Sequence, residues 1–191
     1  LISQLCENVI WLDAGKIVKR GPTREVIAAY MAEGVSGNAE WRPATQTSDA
    51  FEYHCVSIES DSADRVTIAA DTGFEIVFDF TVKKPLPAGR LAMLIAGADG
   101  TVVLASANTD HTTALRGPWT LGRHRVRCVI PGHLLVPGQY YITITEPVEA
   151  WDEIHERVLA FTITEENSLI ARDGRRGVVA PLLEWRSEPV A

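Results

Sequence analysis

The stretch from residue 74 to residue 82 constrains the fold of this chain most strongly. Apolar side chains occupy every second position, namely Phe74, Ile76, Phe78, Phe80 and Val82. The positions between them are Glu75, Val77, Asp79 and Thr81. Successive side chains of a strand point to opposite faces, so this period of two predicts a strand with one buried face. A single sheet cannot bury that face alone, and a second layer must cover it.

Seven other segments have the length and composition of strands. With the first, the predicted strands are 51–59, 65–69, 74–82, 91–96, 102–107, 123–130, 139–145 and 157–163. Turn signals such as Asp99-Gly100 and Pro137-Gly138 separate them. Many short strands at regular spacing, without a helical period between them, predict an all-β sandwich.

Bulk composition narrows the class of protein. The 191 residues suit one domain with an appendage, and 46% apolar residues suffice for a core. A net charge of −7 argues against a nucleic-acid partner. No apolar run approaches the ~20 residues of a membrane span. The three cysteines are odd in number and widely spaced, which favours a reducing, cytoplasmic compartment over a disulfide framework.

Residues 1–33 differ from the rest of the chain. Two short strand-like runs flank Ala14-Gly15 and predict a hairpin, and Thr23 is a suitable cap for a following helix. A unit of this size is not stable alone, so we expect residues 1–33 to be the remnant of a larger domain and the chain to be a fragment. Residues 34–49 have the composition of a linker, and residues 50–191 form the predicted β domain.

Three elements of the N-terminal segment carry a resemblance. They are L-x-x-G-K-I at residues 12–17 with Trp11 before it, Gly21-Pro22, and V-I-x-x-Y at residues 26–30. They resemble the C-terminal end of an ABC-transporter ATPase domain of the polysaccharide-exporting branch. The Gly-Lys pair lacks the spaced glycine and the Ser/Thr of a phosphate loop, and no Walker element is present. We therefore expect no ATP binding and no enzymatic activity.

The β domain carries a second resemblance, spread over most of residues 50–186. The matching stretches are 99–103 with 107–109, 135–142, 160–163, 176–179 and 184–185. It resembles the C-terminal domain of the ATP-binding subunit of O-antigen ABC exporters, the Wzt type. The resemblance implies an immunoglobulin-like antiparallel sandwich that binds the exported lipopolysaccharide O-antigen and pairs as a homodimer. It also implies a cytoplasmic position, peripheral at the inner membrane, beside the transporter's membrane subunit.

Sugar-binding sites combine aromatic rings with charged or amide groups. If the central strand shares a sheet with strands 123–130 and 139–145, one outer face carries a suitable set. The candidates are Glu75, Asp79, Arg125, Arg127, Tyr141 and Thr143, bordered by Trp151 as a stacking platform in a polar loop. The alternative is a solvated face with cross-strand ion pairs, with Trp151 folded back onto the sandwich. Of the other tryptophans, we expect Trp41 to pack the linker, Trp119 to cap the core and Trp185 to lie in a terminal strand.

No catalytic, cofactor or metal site is predicted. Glu75 and Asp79 lie ~13 Å apart along one strand, too far for the paired carboxylates of a glycosidase. The histidines are scattered without the spacing of a zinc site, and Cys55 and Cys128 are interpreted as small core residues.

Two functions from different classes remain open. The first is non-catalytic recognition of a bacterial polysaccharide, and the second is a structural module that dimerises and regulates the ATPase. An outward aromatic ring beside the charged positions favours the first, whereas an outer face of paired charges alone favours the second. The apolar run at residues 178–183 needs a cover, and the resemblance favours exchange of residues 177–186 with a second copy.

Overall fold

The computed structural model describes residues 6–13, 15–23, 25–26, 29, 37–45, 48–86, 89–110, 119–145, 154–175 and 177–187. The first strands are β1 Asn8–Asp13, β2 Lys16–Pro22, β3 Glu40–Trp41, β4 Phe51–Glu59, β5 Thr67–Ala69 and β6 Phe74–Val82. The remainder are β7 Ala92–Gly97, β8 Val102–Ala107, β9 Gly122–Ile130, β10 Gly138–Thr145 and β11 Ile154–Thr164, followed by the short helix α1, Leu169–Arg172. All eight predicted strands are present, with bounds that differ by at most three residues.

Two sheets form the body of the domain. One has the strand order β3-β4-β6-β9, and the other has the order β5-β11-β10-β7-β8. Neighbouring strands are antiparallel except β5 and β11, which are parallel. The predicted all-β, immunoglobulin-like sandwich is confirmed. Within the described residues, no helix is long and apolar enough to cross a membrane.

The core lies between the two sheets and is centred on β6. Its alternate side chains are at most 4% exposed, namely Phe74, Ile76, Phe78, Phe80 and Val82. From the opposite sheet, Tyr140, Ile142 and Phe161 face them, and the rings of Phe74 and Phe161 lie 5.0 Å apart. The predicted burial of one face of the central strand is therefore confirmed, and the five-stranded sheet is the layer that covers this face.

A bulge in β4 changes which of its residues face the core. Tyr53 lies opposite Phe80 and Cys55 lies opposite Asp79, so His54 is an extra residue between two paired positions. Inward positions therefore shift from Phe51 and Tyr53 before the bulge to Val56 and Ile58 after it. Cys55 consequently lies on the outer side beside Asp79, and its interpretation as a core residue is wrong. Cys128 packs against the core as predicted.

Part of the predicted linker belongs to the sandwich. Asn38 exchanges two backbone hydrogen bonds with Ala160 of β11, at 3.0 and 3.2 Å. Two residues later, β3 pairs with β4 at the edge of the other sheet. The Trp41 ring packs against Tyr53 and His155, with centroids 5.9 and 4.9 Å apart. Residues 38–41, which we call the edge clip, thus join neighbouring edges of both sheets.

The N-terminal hairpin forms its own sheet from β1 and β2, as predicted. Thr23, Glu25, Val26 and Ala29 are helical, in agreement with the helix expected after Gly21-Pro22. The Thr23 hydroxyl donates a hydrogen bond to the carbonyl oxygen of Cys6, which ties this turn to the start of the hairpin. Four apolar side chains of the hairpin are nevertheless 46–63% exposed, namely Ile10, Leu12, Ile17 and Val18.

The C-terminal run does not form the predicted strand. Val179 makes a single bridge to Leu135, and the N–H of Ala180 donates to the carbonyl oxygen of Leu134 at 2.8 Å. Residues 180–187 are irregular, and Trp185 is 91% exposed. The placement of Trp185 in a terminal strand is wrong for the single chain, because the ladder ends after this contact in the described residues. Leu182 and Leu183 are also exposed.

Candidate functional site

The outer side of the four-stranded sheet carries a compact set of charged side chains. We call it the charged face, and it consists of Glu59, Glu75, Asp79, Arg123, Arg125 and Arg127. The register of β6 and β9 places Arg125 directly opposite Asp79, and Arg123 and Arg127 one outward position to either side. Side chains two residues apart along β9 share a face, so three consecutive outward positions are arginines. The sequence pattern therefore folds into a row of guanidinium groups beside a row of carboxylates.

Asp79 is the centre of one end of this face. Arg123 donates to both of its carboxylate oxygens, from Nε at 2.7 Å and from Nη2 at 2.8 Å, and Arg125 Nη2 donates at 3.0 Å. The hydrogen bond from Arg123 is the main cause that lowers the pKa of Asp79 to about 2, against the opposing effect of burial. The same contact raises the pKa of Arg123. Asp79, only 6% exposed, is therefore ionised and held between two arginines.

Arg127 is the centre of the other end. Its Nη1 donates to carboxylate oxygens of both Glu59 and Glu75. These two contacts, with Glu59 as the larger cause, raise the pKa of Arg127. One carboxylate thus faces two guanidinium groups at the first end, whereas two carboxylates face one guanidinium group at the second. The formal charges of the six side chains therefore sum to zero, but the Asp79 end carries an excess of positive charge and the Arg127 end an excess of negative charge.

The surroundings of the charged face are polar as well. His54 Nε2 and Thr81 Oγ1 are 2.7 Å apart, and Lys83 Nζ lies 2.7 Å from a Glu52 oxygen. Within the described strands of this sheet, Phe, Tyr and Trp side chains face the core, and His54 supplies the only ring on the outer side. The face as described offers hydrogen bonds and charge rather than a stacking platform. Paired charges without an outward Phe, Tyr or Trp ring favour the structural module among the two functions left open by the sequence, and Trp151, the remaining candidate ring, lies outside the described residues.

Tyr141 and Thr143 lie on the other side of the molecule. Strand β10 pairs with β7 and β11, not with β6 or β9, so these two residues face outward from the five-stranded sheet. The prediction that they share one face with Asp79 and Arg125 is wrong. Strand alternation correctly gave their direction, but it carries no information on which strands are neighbours.

Both residues contact Arg157, which lies at a bulge of β11. The Arg157 guanidinium lies 5.0 Å from the centre of the Tyr141 ring, and its backbone N–H donates to Thr143 Oγ1 at 3.2 Å. Arg157 has a φ of 51°, in the left-handed region that costs a non-glycine residue energy. Tyr141 is only 2% exposed. Their contacts therefore support the bulge, and the ring of Tyr141 is not accessible for stacking on a sugar.

The tryptophans divide between described and undescribed parts of the chain. Trp151 lies outside the described residues, and its role as a stacking platform stays a prediction. Trp119 donates from Nε1 to the carbonyl oxygen of Gly89 at 3.1 Å and packs edge-on against Phe80 at 5.4 Å. The predicted cap role of Trp119 is confirmed.

One member of the charged face, Glu59, and one neighbour, His54, are absent from the predicted site. Glu59 joins the face through Arg127, which is far along the chain, and His54 faces outward because of the bulge in β4. The sequence does contain a signal for the bulge. The apolar residues of β4 that face the core are at odd-numbered positions before it, Phe51 and Tyr53, and at even-numbered positions after it, Val56 and Ile58. Arg123 is not among the predicted site residues, although it donates two hydrogen bonds to Asp79.

Other concavities differ in chemistry. A depression of about 710 Å³ near α1 is lined by polar groups, including Asp71, His133, Glu165 and Asn167. A cleft of about 380 Å³ between β8 and β9 is mostly apolar, with Met93 among its lining residues. In the described part of the chain, no group of three or more His, Cys, Asp or Glu residues is arranged to hold a metal ion.

Comparison with known proteins gives a structural match. No protein-family model and no curated protein matches the sequence. Among solved structures, the C-terminal domain of Wzt has a similar fold, with a TM-score of 0.54 and 12% sequence identity. The match covers 78% of this chain and 91% of that chain. At this identity the similarity establishes the fold, and it agrees with the resemblance seen in the sequence.

Proposed function

We propose that this domain recognises a bacterial polysaccharide, without catalysis, through the charged face. The observation that carries the proposal is the pair of exposed guanidinium groups, Arg123 and Arg125, fixed around the buried carboxylate of Asp79. The Wzt-like fold and the sequence resemblance support an O-antigen as the polysaccharide. They also support a role in ABC-transporter export, on the cytoplasmic side of the inner membrane and beside the transporter's membrane subunit.

The geometry suits weak and reversible binding of sugar hydroxyl groups. Hydrogen bonds from charged donors are stronger than neutral ones. Because Asp79 already holds both arginines, less side-chain entropy is lost when a ligand binds. Desolvation offsets part of each bond, so we expect a dissociation constant between about 1 μM and 1 mM. Weak binding also suits a carrier that must release its cargo.

The test is titration calorimetry of this protein with purified O-antigen polysaccharides of several serotypes. We expect at least one to bind, and Arg125→Gln to weaken it. Thr143→Val is the matched control. It changes a residue that the sequence predicted for the binding site but that lies on the five-stranded sheet, so the affinity for the polysaccharide should be unchanged. Loss of affinity in Thr143→Val alone moves the site to the five-stranded sheet. Absence of binding to every polysaccharide contradicts the proposal.

Trp151 is tested in the same titrations. If it borders the site as a stacking platform, Trp151→Ala should reduce affinity by about 1–3 kcal/mol while leaving the folded structure intact. Equal affinities of the two proteins would remove Trp151 from the site. The charged face alone would then account for binding.

A second candidate function is dimerisation, favoured by the exposed C-terminal run. Leu182, Leu183 and Trp185 are 66%, 69% and 91% exposed. Contact with a partner would remove these apolar groups from water, which is favourable for groups of this size. We propose that residues 177–186 pair with a second copy of the chain to give a homodimer. Removal of residues 177–191 should then yield monomers in light scattering, and an undiminished dimer would contradict the proposal.

A further inference from the structure

The two ends of the charged face differ in electrostatic character. Around Asp79, two positive groups share one negative group, and their side chains are 66% and 57% exposed. Around Arg127, one positive group is shared by two glutamates. A fixed excess of positive charge at one end attracts an anion there, and the excess of negative charge at the other end repels it. Electrostatics alone therefore predict a preference for an anionic over a neutral ligand, bound in one orientation.

The positive end of the charged face also has arginine N–H groups that make no hydrogen bond to Asp79. Arg125 uses only Nη2 toward Asp79, and Arg123 uses Nε and Nη2. Within the described residues, Nε and Nη1 of Arg125 and Nη1 of Arg123 have no hydrogen-bond partner. Guanidinium groups bind carboxylate and phosphate oxygens by paired, parallel hydrogen bonds. Asp79 already accepts three bonds, so a second anion would meet donors that Asp79 leaves unused.

We propose that the Arg123–Arg125 end of the charged face binds an acidic group on the glycan, either a uronate carboxylate or a sugar phosphate. This inference rests on the proposed function and adds to it the class of polysaccharide. The rest of the sugar chain extends toward Glu59 and Glu75, whose oxygens accept hydrogen bonds from hydroxyl groups. An acidic sugar is thus oriented with its anion at the arginine end.

The experiment compares three ligands that share one ring: glucuronate, glucose 6-phosphate and glucose. The side-chain Nε–Hε signals of the arginines are followed by NMR in the ¹⁵N-labelled protein, at constant ionic strength because salt screens exposed charges. We expect the better acid to shift the Arg125 signal and to bind about 5- to 10-fold tighter than glucose, since bonds to charged groups are stronger. The tighter of the two acids identifies the substituent as carboxylate or phosphate.

Two variants assign the effect to the proposed end. Arg125→Gln should abolish the preference for the acid, whereas Arg172→Gln should retain it, because Arg172 of α1 pairs with Asp173 outside the charged face. Equal binding of acid and glucose, or a preference that survives Arg125→Gln, would overturn the inference.

The calorimetry with O-antigen polysaccharides separates the two proposals. A neutral polysaccharide that binds the face, with no preference for acids in NMR, would overturn this inference and leave the proposed function standing. Acid binding in NMR with no binding of any polysaccharide would overturn the proposed function.

Discussion

The two outer faces of the sandwich both bury a side chain that points away from the core. On the four-stranded sheet Asp79 is such a side chain, as is its neighbour Val77, and on the five-stranded sheet Tyr141 is such a side chain. Asp79 and Tyr141 are each covered by arginine from a neighbouring strand: Asp79 by Arg123 and Arg125 of β9, and Tyr141 by Arg157 of β11. Alternation along a strand therefore determines direction, whereas accessibility depends on what the adjacent strand supplies.

The covering arginines have different consequences on the two faces. Arg123 and Arg125 follow the regular register of β9, so their guanidinium groups project beside Asp79 and remain exposed to a ligand. Arg157 lies at a bulge with a left-handed backbone, and both its guanidinium and its N–H contact the neighbouring strand. We infer that the first face is arranged for recognition and the second for stability. The following predictions test that contrast.

The largest effect on stability is expected for Tyr141→Ala. The ring is almost fully buried although it lies outside the central core, and its removal should lower the free energy of unfolding by about 3–4 kcal/mol. Chemical denaturation measures this change. Glycan affinity should stay the same in protein that remains folded. A loss of stability below about 1 kcal/mol would show that Tyr141 is not packed as described, and the contrast between the faces would fail.

A smaller effect is expected for Asp79→Asn, and it should depend on pH. The folded-state pKa of about 2 lies below the ordinary value of 3.8, so the ionised carboxylate stabilises the fold at pH values above about 4. After allowance for the exposed arginine partners, we expect a loss of about 1–2 kcal/mol at pH 7. Denaturation curves of both proteins should converge as the pH falls from about 4 to 2. A difference that persists at pH 2 would contradict this account.

The smallest effect on stability is expected for Arg127→Gln. Arg127 and its partners Glu59 and Glu75 are substantially exposed, and solvent weakens such pairs. The loss should be smaller than for Asp79→Asn and should shrink further when denaturation is repeated in 1 M salt. Glu75→Gln provides a matched control, because Arg127 then keeps one carboxylate partner. A larger loss for Arg127→Gln than for Asp79→Asn would contradict the conclusion that the Asp79 end contributes more to stability than the Arg127 end.

Most of the fold was predictable because its signals are local. The alternation in β6 and the turn residues between strands depend on neighbours in sequence, and they gave the strands and the buried face correctly. Strand neighbours depend on hydrogen bonds between distant segments. Strand alternation does not contain that information, so the predicted grouping of Tyr141 and Thr143 with Asp79 and Arg125 is wrong.

The candidate site was predictable in part for the same reason. Glu75, Asp79, Arg125 and Arg127 do meet on one face, because β6 and β9 are adjacent. Glu59 enters that face only through the shift of parity at His54, which a single bulge produces. The run near Trp185 shows another limit: apolar composition indicates that a segment needs a cover but not whether the cover belongs to the same chain.

The edge clip has a consequence for the order of folding. Its Asn38 side chain donates to the carbonyl oxygen of Val158, 120 residues further along the chain, and its backbone pairs with Ala160. Such a contact closes a very long loop. The chain loses the conformational entropy of that loop before the free energy of the contact can offset the loss. We expect the clip to dock after β11 has joined its sheet. The segment that comes first in the sandwich would then be among the last to reach its native position.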